Sequence, residues 1–262
     1  MTRTEQIRFL TGRLLDELPQ YREQAARFPD DEVSRRRLLR SLMNVRPPLP
    51  LSPDFLAVQD ALLSAETAEK GVVRAGELTP ARERNLCLWQ GDITRLAADA
   101  VVNAANSALL GCFVPCHGCI DNAIHSAAGL QLRDECSRIM RAQGHEEPNG
   151  QAKLTGAYNL PAKHVLHTVG PIVRGGVTER DRRELRSCYE ACLALAAERR
   201  LRSVAFCCIS TGEFHFPNRE AAGIALAAVR DFLRRDGGDM RVIFNVFRDE
   251  DLAIYRELLG AD

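Results

Sequence analysis

The pattern of hydrophobic and polar positions changes character near Arg84. Before it, apolar residues recur at helical spacing over residues 4–28, 31–44 and 54–70, with arginine and glutamate between them. This spacing predicts three amphipathic helices. The proline-rich stretch 47–53 ends the second helix and forces an extended connection. We therefore predict that residues 1–80 form a small helical region that packs as a cap on the rest of the chain.

After Arg84, short apolar runs alternate with helical patterns, which is typical of a layered α/β domain. Strands are predicted at residues 86–89, 100–102, 154–159, 164–169, 203–209 and 241–247. Helices are predicted at residues 119–144, 179–199, 218–235 and 249–259. Residues 81–262 are thus predicted to form one α/β domain.

The composition is that of an ordinary globular protein. The 262 residues include 45% hydrophobic and 27% charged residues, with 35 positive and 35 negative side chains. A net charge of zero disfavours non-specific nucleic-acid binding, which needs a basic surface. The N-terminal sequence lacks the apolar segment of a signal peptide, and no run of about 18 apolar residues is present. We expect a cytoplasmic protein whose partners are neither nucleic acid nor membrane.

One loop concentrates side chains able to bind a metal or move a proton. Residues 111–125 hold three cysteines, two histidines and one aspartate. In a chain without a secretion signal, clustered cysteine favours metal binding or catalysis over disulfides. The spacing of Cys112, His117 and Cys119 closes a compact chelate, and two cysteines and a histidine with one open position are a catalytic type of zinc site. The alternative is that these thiols merely pack as small hydrophobic groups.

Other cysteines and histidines are less informative. Cys116 either replaces one of the three ligands or is a bystander, and we favour the bystander. His125 lies one helical turn after Asp121, a position where histidine more often packs than takes part in chemistry. The remaining cysteines fall in strand or helix patterns and are predicted core residues: Cys87, Cys136, Cys188, Cys192, Cys207 and Cys208.

Small and polar residues follow four predicted strands, where open α/β sheets bind ligands. These turns are Gly91-Asp92-Ile93-Thr94, Asn103-Ala104-Ala105-Asn106, Gly170-Pro171 and Ser210-Thr211-Gly212-Glu213-Phe214. Backbone N–H groups in such turns, together with helix N-termini, attract phosphate. Each turn alone is weak evidence, but their order and spacing together are strong.

In that order and spacing the chain resembles the macrodomain family. The matching segments are GDIT, VVNAANS, IDNAIHSAAG, TGAYNLPAKHVLHTVGP, ISTGEFHFP and VIFNVFRDEDLAIYRELL, from about residue 86 to 262. The resemblance implies a three-layer α/β/α fold around a mixed six-stranded sheet, preceded here by the helical region. It also implies a cleft for ADP-ribose.

The resemblance assigns expected roles along that cleft. Asp92, with Ile93 beside it, should accept a hydrogen bond from the adenine amino group, which suits an acceptor-only carboxylate. Phe247 should wall the adenine pocket. The residues expected to wrap the diphosphate, with Phe214 also packing on the distal ribose, are Ser210, Thr211, Gly212, Glu213 and Phe214.

Asn106 and Asp121 are the catalytic residues that the resemblance implies. Asn106 should reach the distal ribose, the sugar that carries the scissile bond, and orient its hydroxyls. Asp121 matches the acid of the family's first binding loop. It would orient water or a hydroxyl, or support the metal ligands, and the sequence does not decide between these roles.

The chain departs from ordinary catalytic macrodomains at the metal loop. Where they carry a glycine-rich run, this chain has Cys112-Phe113-Val114-Pro115-Cys116-His117-Gly118-Cys119. The variant is similar to the zinc-containing macrodomain branch of microbes, which also has an N-terminal helical extension. It implies one Zn²⁺ per chain on Cys112, His117 and Cys119. Zinc there would act as a Lewis acid or lower the pKa of a bound water towards about 7.

The leading hypothesis is a hydrolase that removes mono-ADP-ribose from a modified protein. The resemblance also implies acyl linkages on Asp or Glu, a sirtuin-like ADP-ribosyltransferase as functional counterpart, and a lipoyl-carrier protein as target. Two alternatives stay open: a reader module that binds ADP-ribose without turning it over, and a zinc–thiolate redox sensor. The presence of both Asn106 and Asp121 favours the enzyme.

Overall fold

The computed structural model describes residues 1–260, and within that range it contains nine α-helices and eight β-strands. The helices are α1 (Arg3–Glu17), α2 (Arg22–Ala26), α3 (Glu32–Val45), α4 (Pro53–Lys70), α5 (Ile120–Ala128), α6 (Leu130–Gln143), α7 (Glu179–Glu198), α8 (Asn218–Phe232) and α9 (Asp249–Leu259). The strands are β1 (Val73–Arg74), β2 (Leu86–Gln90), β3 (Leu96–Ala97), β4 (Ala100–Ala104), β5 (Ala152–Gly156), β6 (His164–Thr168), β7 (Ser203–Phe206) and β8 (Arg241–Val246).

The first 70 residues are helical, as predicted, and have a hydrophobic core of their own. Side-chain oxygens of Thr2, Asp31 and Ser52 accept a backbone N–H at the starts of α1, α3 and α4, which satisfies one of the free amides there. The prediction of one helix over residues 4–28 is wrong in its second half. Leu18 leaves the helical conformation because Pro19 follows it, and the chain restarts as α2.

A six-stranded mixed sheet forms the centre of the second region, in the order β2-β8-β7-β4-β6-β5. All neighbours are parallel except β5, which is antiparallel to β6. Helices α5 to α9 flank this sheet, and its core strands are almost continuously apolar, as expected for a sheet covered on both faces. The predicted α/β/α fold with a mixed six-stranded sheet is therefore confirmed.

Several predicted boundaries need correction. The helix expected over residues 119–144 is two helices, because Gly129 adopts φ +97° and a Cβ there would lie 2.7 Å from the side chains of Gln59 and Gln131. Strand β5 begins two residues before its predicted start, and β7 ends at Phe206. A small parallel sheet of β1 and β3 was not predicted at all.

The two regions share residues across the predicted boundary at residue 80. Ala75 packs in the core of the six-stranded sheet, whereas Leu130, the first residue of α6, packs in the core of the helical region. The division into 1–80 and 81–262 stays a prediction.

The sheet topology positions the ligand-binding edge. Strand β4 lies between β6 and β7: after β4 the chain passes through α5 and α6 to β5 and β6 on one side, and then through α7 to β7 on the other side. In open α/β sheets a crevice forms outside the carboxyl ends of the strands at such a point. The four small-residue turns all lie at this edge. Among residues 1–260, none of the helices has the length and hydropathy that crossing a bilayer requires.

Candidate functional site

A cleft of about 860 Å³ runs along the carboxyl edge of the parallel strands. This volume is in the range of pockets that bury a small-molecule ligand. Every residue predicted from sequence for substrate, catalysis or metal lines it: Asp92, Ile93, Asn106, Cys112, His117, Cys119, Asp121, Ser210, Thr211, Gly212, Glu213, Phe214 and Phe247. The fold thus brings together predicted residues that are up to 155 positions apart in the sequence, since the first of them is Asp92 and the last is Phe247.

At one end of the cleft, Asp92 follows strand β2. One carboxylate oxygen, Oδ1, accepts hydrogen bonds from the backbone N–H and the hydroxyl of Thr94, at 3.0 and 2.7 Å. The other, Oδ2, lies 3.9 Å from the ammonium of Lys70 at the end of α4. Phe247 is 76% exposed at this end. A fixed acceptor beside an exposed aromatic ring is suited to a flat, hydrogen-bond-donating group such as an aromatic amine.

In the middle of the cleft, residues 210–214 form a turn after strand β7. Within residues 1–260, the backbone N–H groups of Gly212, Glu213 and Phe214 donate to no protein acceptor. Ser210 has φ +65°. Gly170 allows the turn to approach β6, because a Cβ on it would lie 2.1 Å from the Ser210 hydroxyl. Free amides lining a cleft form a binding site for an anion such as phosphate.

At the other end, three metal-ligating side chains converge. One atom from each of Cys112, His117 and Cys119 lies within 4.8 Å of the other two. The Nδ1 atom of His117 lies 3.7 Å from the Cys112 sulfur, and its Nε2 atom lies 3.6 Å from the carboxylate of Glu213. The imidazole therefore turns one nitrogen to the thiols and the other to an acid, as metal-bound histidines do.

The donor set fits a zinc ion. Two thiols and one imidazole are the ligands of a three-protein-ligand zinc site with one open position. Burial, and to a smaller extent the nearby Cys112 and Asp121, raise the pKa of Cys119 to about 12, although the hydrogen bond from the Asn122 N–H opposes the rise. A divalent cation would reverse this balance, because its charge stabilises the thiolate.

Asp121 lies beside this cluster in the first turn of α5 and is held by two amides. Asn103 donates to its Oδ1 at 2.8 Å, and Asn106 donates to its Oδ2 at 3.2 Å. Its exposed fraction is only 4%. Burial raises the pKa of Asp121 to about 6, although the Asn103 bond, the charge of Arg133 and the Asn106 bond oppose the rise. The carboxylate is thus fixed in direction and ionised at neutral pH.

Asn106 is oriented by the same loop. Its amide nitrogen also donates to the carbonyl of Gly111 at 3.1 Å, and its oxygen accepts the N–H of Ala108 at 3.1 Å. One lone pair of the amide oxygen remains for a ligand in the cleft.

His125 is a buried neighbour of Asp121 and is not one of the three converging ligands. Its Nε2 atom lies 3.5 Å from the Asp121 carboxylate, and neither ring nitrogen has a hydrogen-bond partner among the described residues. Burial holds its pKa well below the ordinary value, so it is neutral. It also comes close to Cys136 and His167, but His167 is already bonded to Thr155 at 2.9 Å and Asn103 at 3.2 Å. Within this second group, the ring nitrogens of His167 are therefore already engaged in the hydrogen bonding of the core.

Cys116 points away from the converging ligands. It has φ +53°, its N–H donates to the side chain of Asn44 at 2.9 Å, and its sulfur lies 3.3 Å from the Ser41 hydroxyl. Both partners belong to α3. Of the six cysteines predicted in the core, five are buried, and Cys208 is half-buried against the cleft.

Sequence reasoning assigned no role to three residues that hold the site. Asn103 was named in a predicted ligand-binding turn, and its place as the one polar residue within the apolar run of β4 could have marked it as a partner of Asp121. Arg40 and Asn122 gave no local signal: Arg40 lies in the helical region, and its contacts are with residues 77 and 82 positions later in the chain.

Comparison with known proteins gives concordant matches. The sequence profile described as "Macro domain" matches residues 102–225. A curated relative from Treponema medium, named protein-ADP-ribose hydrolase, is 50% identical over 99% of this chain and 100% of its own length. A relative of the same name from Staphylococcus aureus is 50% identical over 86% of this chain and 85% of its own. The solved structure of the Trypanosoma brucei macrodomain in complex with ADP-ribose is 32% identical, with a TM-score of 0.66, and covers 84% of this chain and 95% of that one.

Proposed function

The chain belongs to the macrodomain family and is a hydrolase, and we propose that its reaction is the zinc-dependent removal of mono-ADP-ribose from modified protein side chains. One observation carries the proposal. The ligand atoms of Cys112, His117 and Cys119 converge to within 4.8 Å of one another, in the same cleft as Asp92 and the free amides of residues 212–214. Because the chain is a hydrolase, a reader module that binds ADP-ribose without turning it over is the less favoured alternative.

The proposed binding mode follows the order of groups along the cleft. Asp92 accepts the adenine amino group beside Phe247, and the amides of residues 212–214 bind the diphosphate. The distal ribose then lies at the end that holds Asn106 and the metal loop. Binding energy gained at the adenine and diphosphate is remote from the scissile bond, so it can be used to orient that bond for attack.

Two side chains of the protein act at the distal ribose. Asn106 presents its remaining lone pair to a ribose hydroxyl, because its other hydrogen-bonding positions are occupied by Gly111, Asp121 and Ala108. Asp121 orients a water or a hydroxyl and accepts its proton, since its carboxylate is fixed by Asn103 and Asn106 and is ionised at neutral pH.

Cys112, His117 and Cys119 would hold the zinc ion. A zinc ion held by these three residues, with one position left open, would supply Lewis acidity. The carboxylate of Glu213 lies 3.6 Å from Nε2 of His117, on the side away from the thiols, so Nδ1 stays available as a ligand. Cys116 takes no part in this set, because its sulfur and N–H are directed towards α3.

The finer points of the proposal follow the family resemblance. We propose Asp- or Glu-linked ADP-ribose as the substrate, a sirtuin-like ADP-ribosyltransferase as the enzyme whose modification is reversed, and a lipoyl-carrier protein as a candidate target. Comparing release of ADP-ribose from Asp/Glu-linked, Ser-linked and Arg-linked proteins tests the linkage. Equal rates on all three would contradict it.

The zinc requirement is tested by a matched pair of loop variants. C119S removes a proposed ligand but keeps the cap of α5, because the Cys119 sulfur accepts the N–H of Asn122 at 3.4 Å and serine is a favoured N-cap. C116S changes a thiol on the same loop that lies outside the proposed set. We expect C119S to lose ADP-ribose release by about 100-fold or more, since Lewis-acid stabilisation is worth several kcal/mol.

The control variant C116S should retain release to within a factor of about 2, because it leaves the three ligands in place. Bound zinc, measured by mass spectrometry of metals, should be lost from C119S and kept in C116S. Full activity of C119S, or of wild-type protein after zinc removal by a chelator, would contradict the zinc mechanism while leaving a metal-independent hydrolase.

A further inference from the structure

The metal loop has no regular secondary structure between Cys112 and Cys119, so its shape depends on contacts from outside. Asn122, which is fully buried, supplies several of them. Its side-chain nitrogen donates to the carbonyls of Val114 at 2.9 Å and Cys112 at 3.5 Å, and its backbone N–H donates to the Cys119 sulfur at 3.4 Å. One residue therefore contacts the chain at both thiol ligands.

Arg40 of α3 completes this set of contacts from the helical region. A single nitrogen of its guanidinium, Nη2, donates to the Asn122 side-chain oxygen at 2.7 Å and to the carbonyl of His117 at 3.3 Å. Arg40 thus fixes the direction of the Asn122 amide and contacts the third ligand residue. Together the two residues contact the backbone or sulfur of all three proposed ligands.

The end of α3 is itself fixed to the α/β region, so Arg40 is held in place. Asn44 accepts the N–H of Cys116 at 2.9 Å and donates to Ser126 at 3.0 Å. The buried Arg133 donates to the carbonyl of Leu110, at the start of the loop, at 2.7 Å. It also donates to the last carbonyls of the α3 segment, which are those of Met43, Asn44 and Arg46.

We propose that Arg40, acting through Asn122, is a positioning residue for the metal loop, and that the helical region is a working part of the metal centre. This inference rests on the proposed function. An alternative explanation is that Arg40 only helps the helical region to pack. The two explanations differ in what they predict for metal affinity. If Arg40 orders the loop before the metal binds, its loss should weaken metal binding, because the loop must then lose conformational entropy on binding; if Arg40 only packs the helical region, metal affinity should not change.

The chain offers a matched control in the same helix. Arg36 lies one turn before Arg40 and makes a two-pronged ion pair with Glu66 of α4, at 2.6 and 2.8 Å. This pair joins α3 to another helix of the same region and makes no contact with the metal loop. R36M and R40M therefore remove the same type of side chain at comparable structural cost.

The experiment measures the zinc dissociation constant of the full-length protein by competition with a chromogenic chelator, for wild type, R40M, R40K and R36M. It is done without ADP-ribose, because Arg40 also lines the cleft. We expect R40M to bind zinc about 10- to 100-fold more weakly than wild type, as substitutions of residues that support metal ligands do. R36M should bind zinc as wild type does, even where both variants lower the melting temperature.

Zinc affinity of R40M within twofold of R36M would overturn the proposal. If R40M is unstable, the R40K variant is used instead, because lysine keeps the positive charge but not the planar guanidinium. Weaker zinc binding by R40K than by R36M would support the proposal, and equal binding would overturn it. Failure of the proposed function has a different signature. In that case wild-type protein itself would take up no stoichiometric zinc, and the positioning role would fall with it.

Discussion

The approach of Gly170 to the turn after β7 makes a specific prediction about ligand affinity. A Cβ at residue 170 would lie 2.1 Å from the hydroxyl of Ser210 and 2.8 Å from a methyl group of Ile209. Neither separation is tolerated by non-bonded atoms. Ser210 has little freedom to yield, because it already has φ +65° and its carbonyl accepts the N–H of Phe216 at 2.9 Å. The variant G170A must therefore move the side chains of Ser210 and Ile209, and we expect this to displace residues 210–214.

The size of the effect follows from the cost of overpacking. Inserting a methyl group into a well-packed site costs about 1–3 kcal/mol. If the whole cost falls on the geometry of residues 210–214, the proposed diphosphate site, ADP-ribose affinity should drop by about 5- to 150-fold, at 1.4 kcal/mol per factor of ten. Any part absorbed by the free protein lowers its melting temperature instead.

Calorimetric titration with ADP-ribose, together with thermal unfolding, measures both parts. The double variant G170A/S210A should recover part of the lost affinity, because the closest clash is removed and only the Ile209 contact remains. S210A alone should cost little, since the buried Ser210 hydroxyl has no partner among the described residues. Gly223 in α8 provides the control: a Cβ there meets nothing within 4 Å, so G223A should leave affinity unchanged.

Unchanged affinity and unchanged melting temperature in G170A would refute this account of the turn. Affinity that falls in G170A but does not recover in G170A/S210A would show that the Ser210 contact is not the cause.

Two other predictions concern residues below the cleft. N103A removes the 2.8 Å bond to Asp121, and such charged bonds are worth about 1.5–3 kcal/mol, so kcat should fall about 10- to 150-fold. ADP-ribose affinity should stay near wild type, and a loss confined to affinity would contradict the role given to Asn103. For His167, burial lowers the pKa from 6.5 to about 3. At a pH between these two values the unfolded state binds more protons than the folded state. The contribution of neutral His167 to the free energy of unfolding is therefore complete above pH 6.5. It is lost as the pH falls, by at most about 1.4 kcal/mol per pH unit. Between pH 7 and pH 5 the melting temperature of wild type should therefore fall more steeply than that of H167Q. Equal slopes for the two proteins would contradict this prediction.

Much of the fold could be predicted because it rests on local patterns. The alternation of apolar runs with helical segments after Arg84 gave the order of the elements, and the turn residues marked the strand ends that line the cleft. Errors arose where the bounds of an element depend on the backbone conformation of one residue, or where a strand forms only through pairing with a distant segment. Gly129 splits one predicted helix, and β1 pairs with β3 over only two residues, too few to leave a periodic pattern.

The candidate metal-binding and proton-accepting side chains of the site could be predicted from the sequence, but most of the residues that hold them in position could not. The side chains able to bind metal or accept protons stand out by type and spacing in residues 111–125. The residues that orient them do not, because their function lies in contacts between distant segments. Arg40 belongs to an ordinary amphipathic helix in the sequence, and only the packing of that helix against the loop brings it to Asn122 and His117.

The sorting of the cysteines gives the intact protein an analytical use. Burial raises the pKa of the six thiols outside the metal loop, so almost none of them is ionised at neutral pH and alkylating reagents react with them slowly. Within the loop, Cys112 and Cys116 are only half-buried, so their sulfurs are accessible to such a reagent, whereas burial raises the pKa of Cys119 as well. Because Cys116 lies outside the proposed ligand set, the alkylation of Cys112 relative to Cys116 under native conditions becomes a gauge of how much of a protein preparation carries the proposed zinc ion.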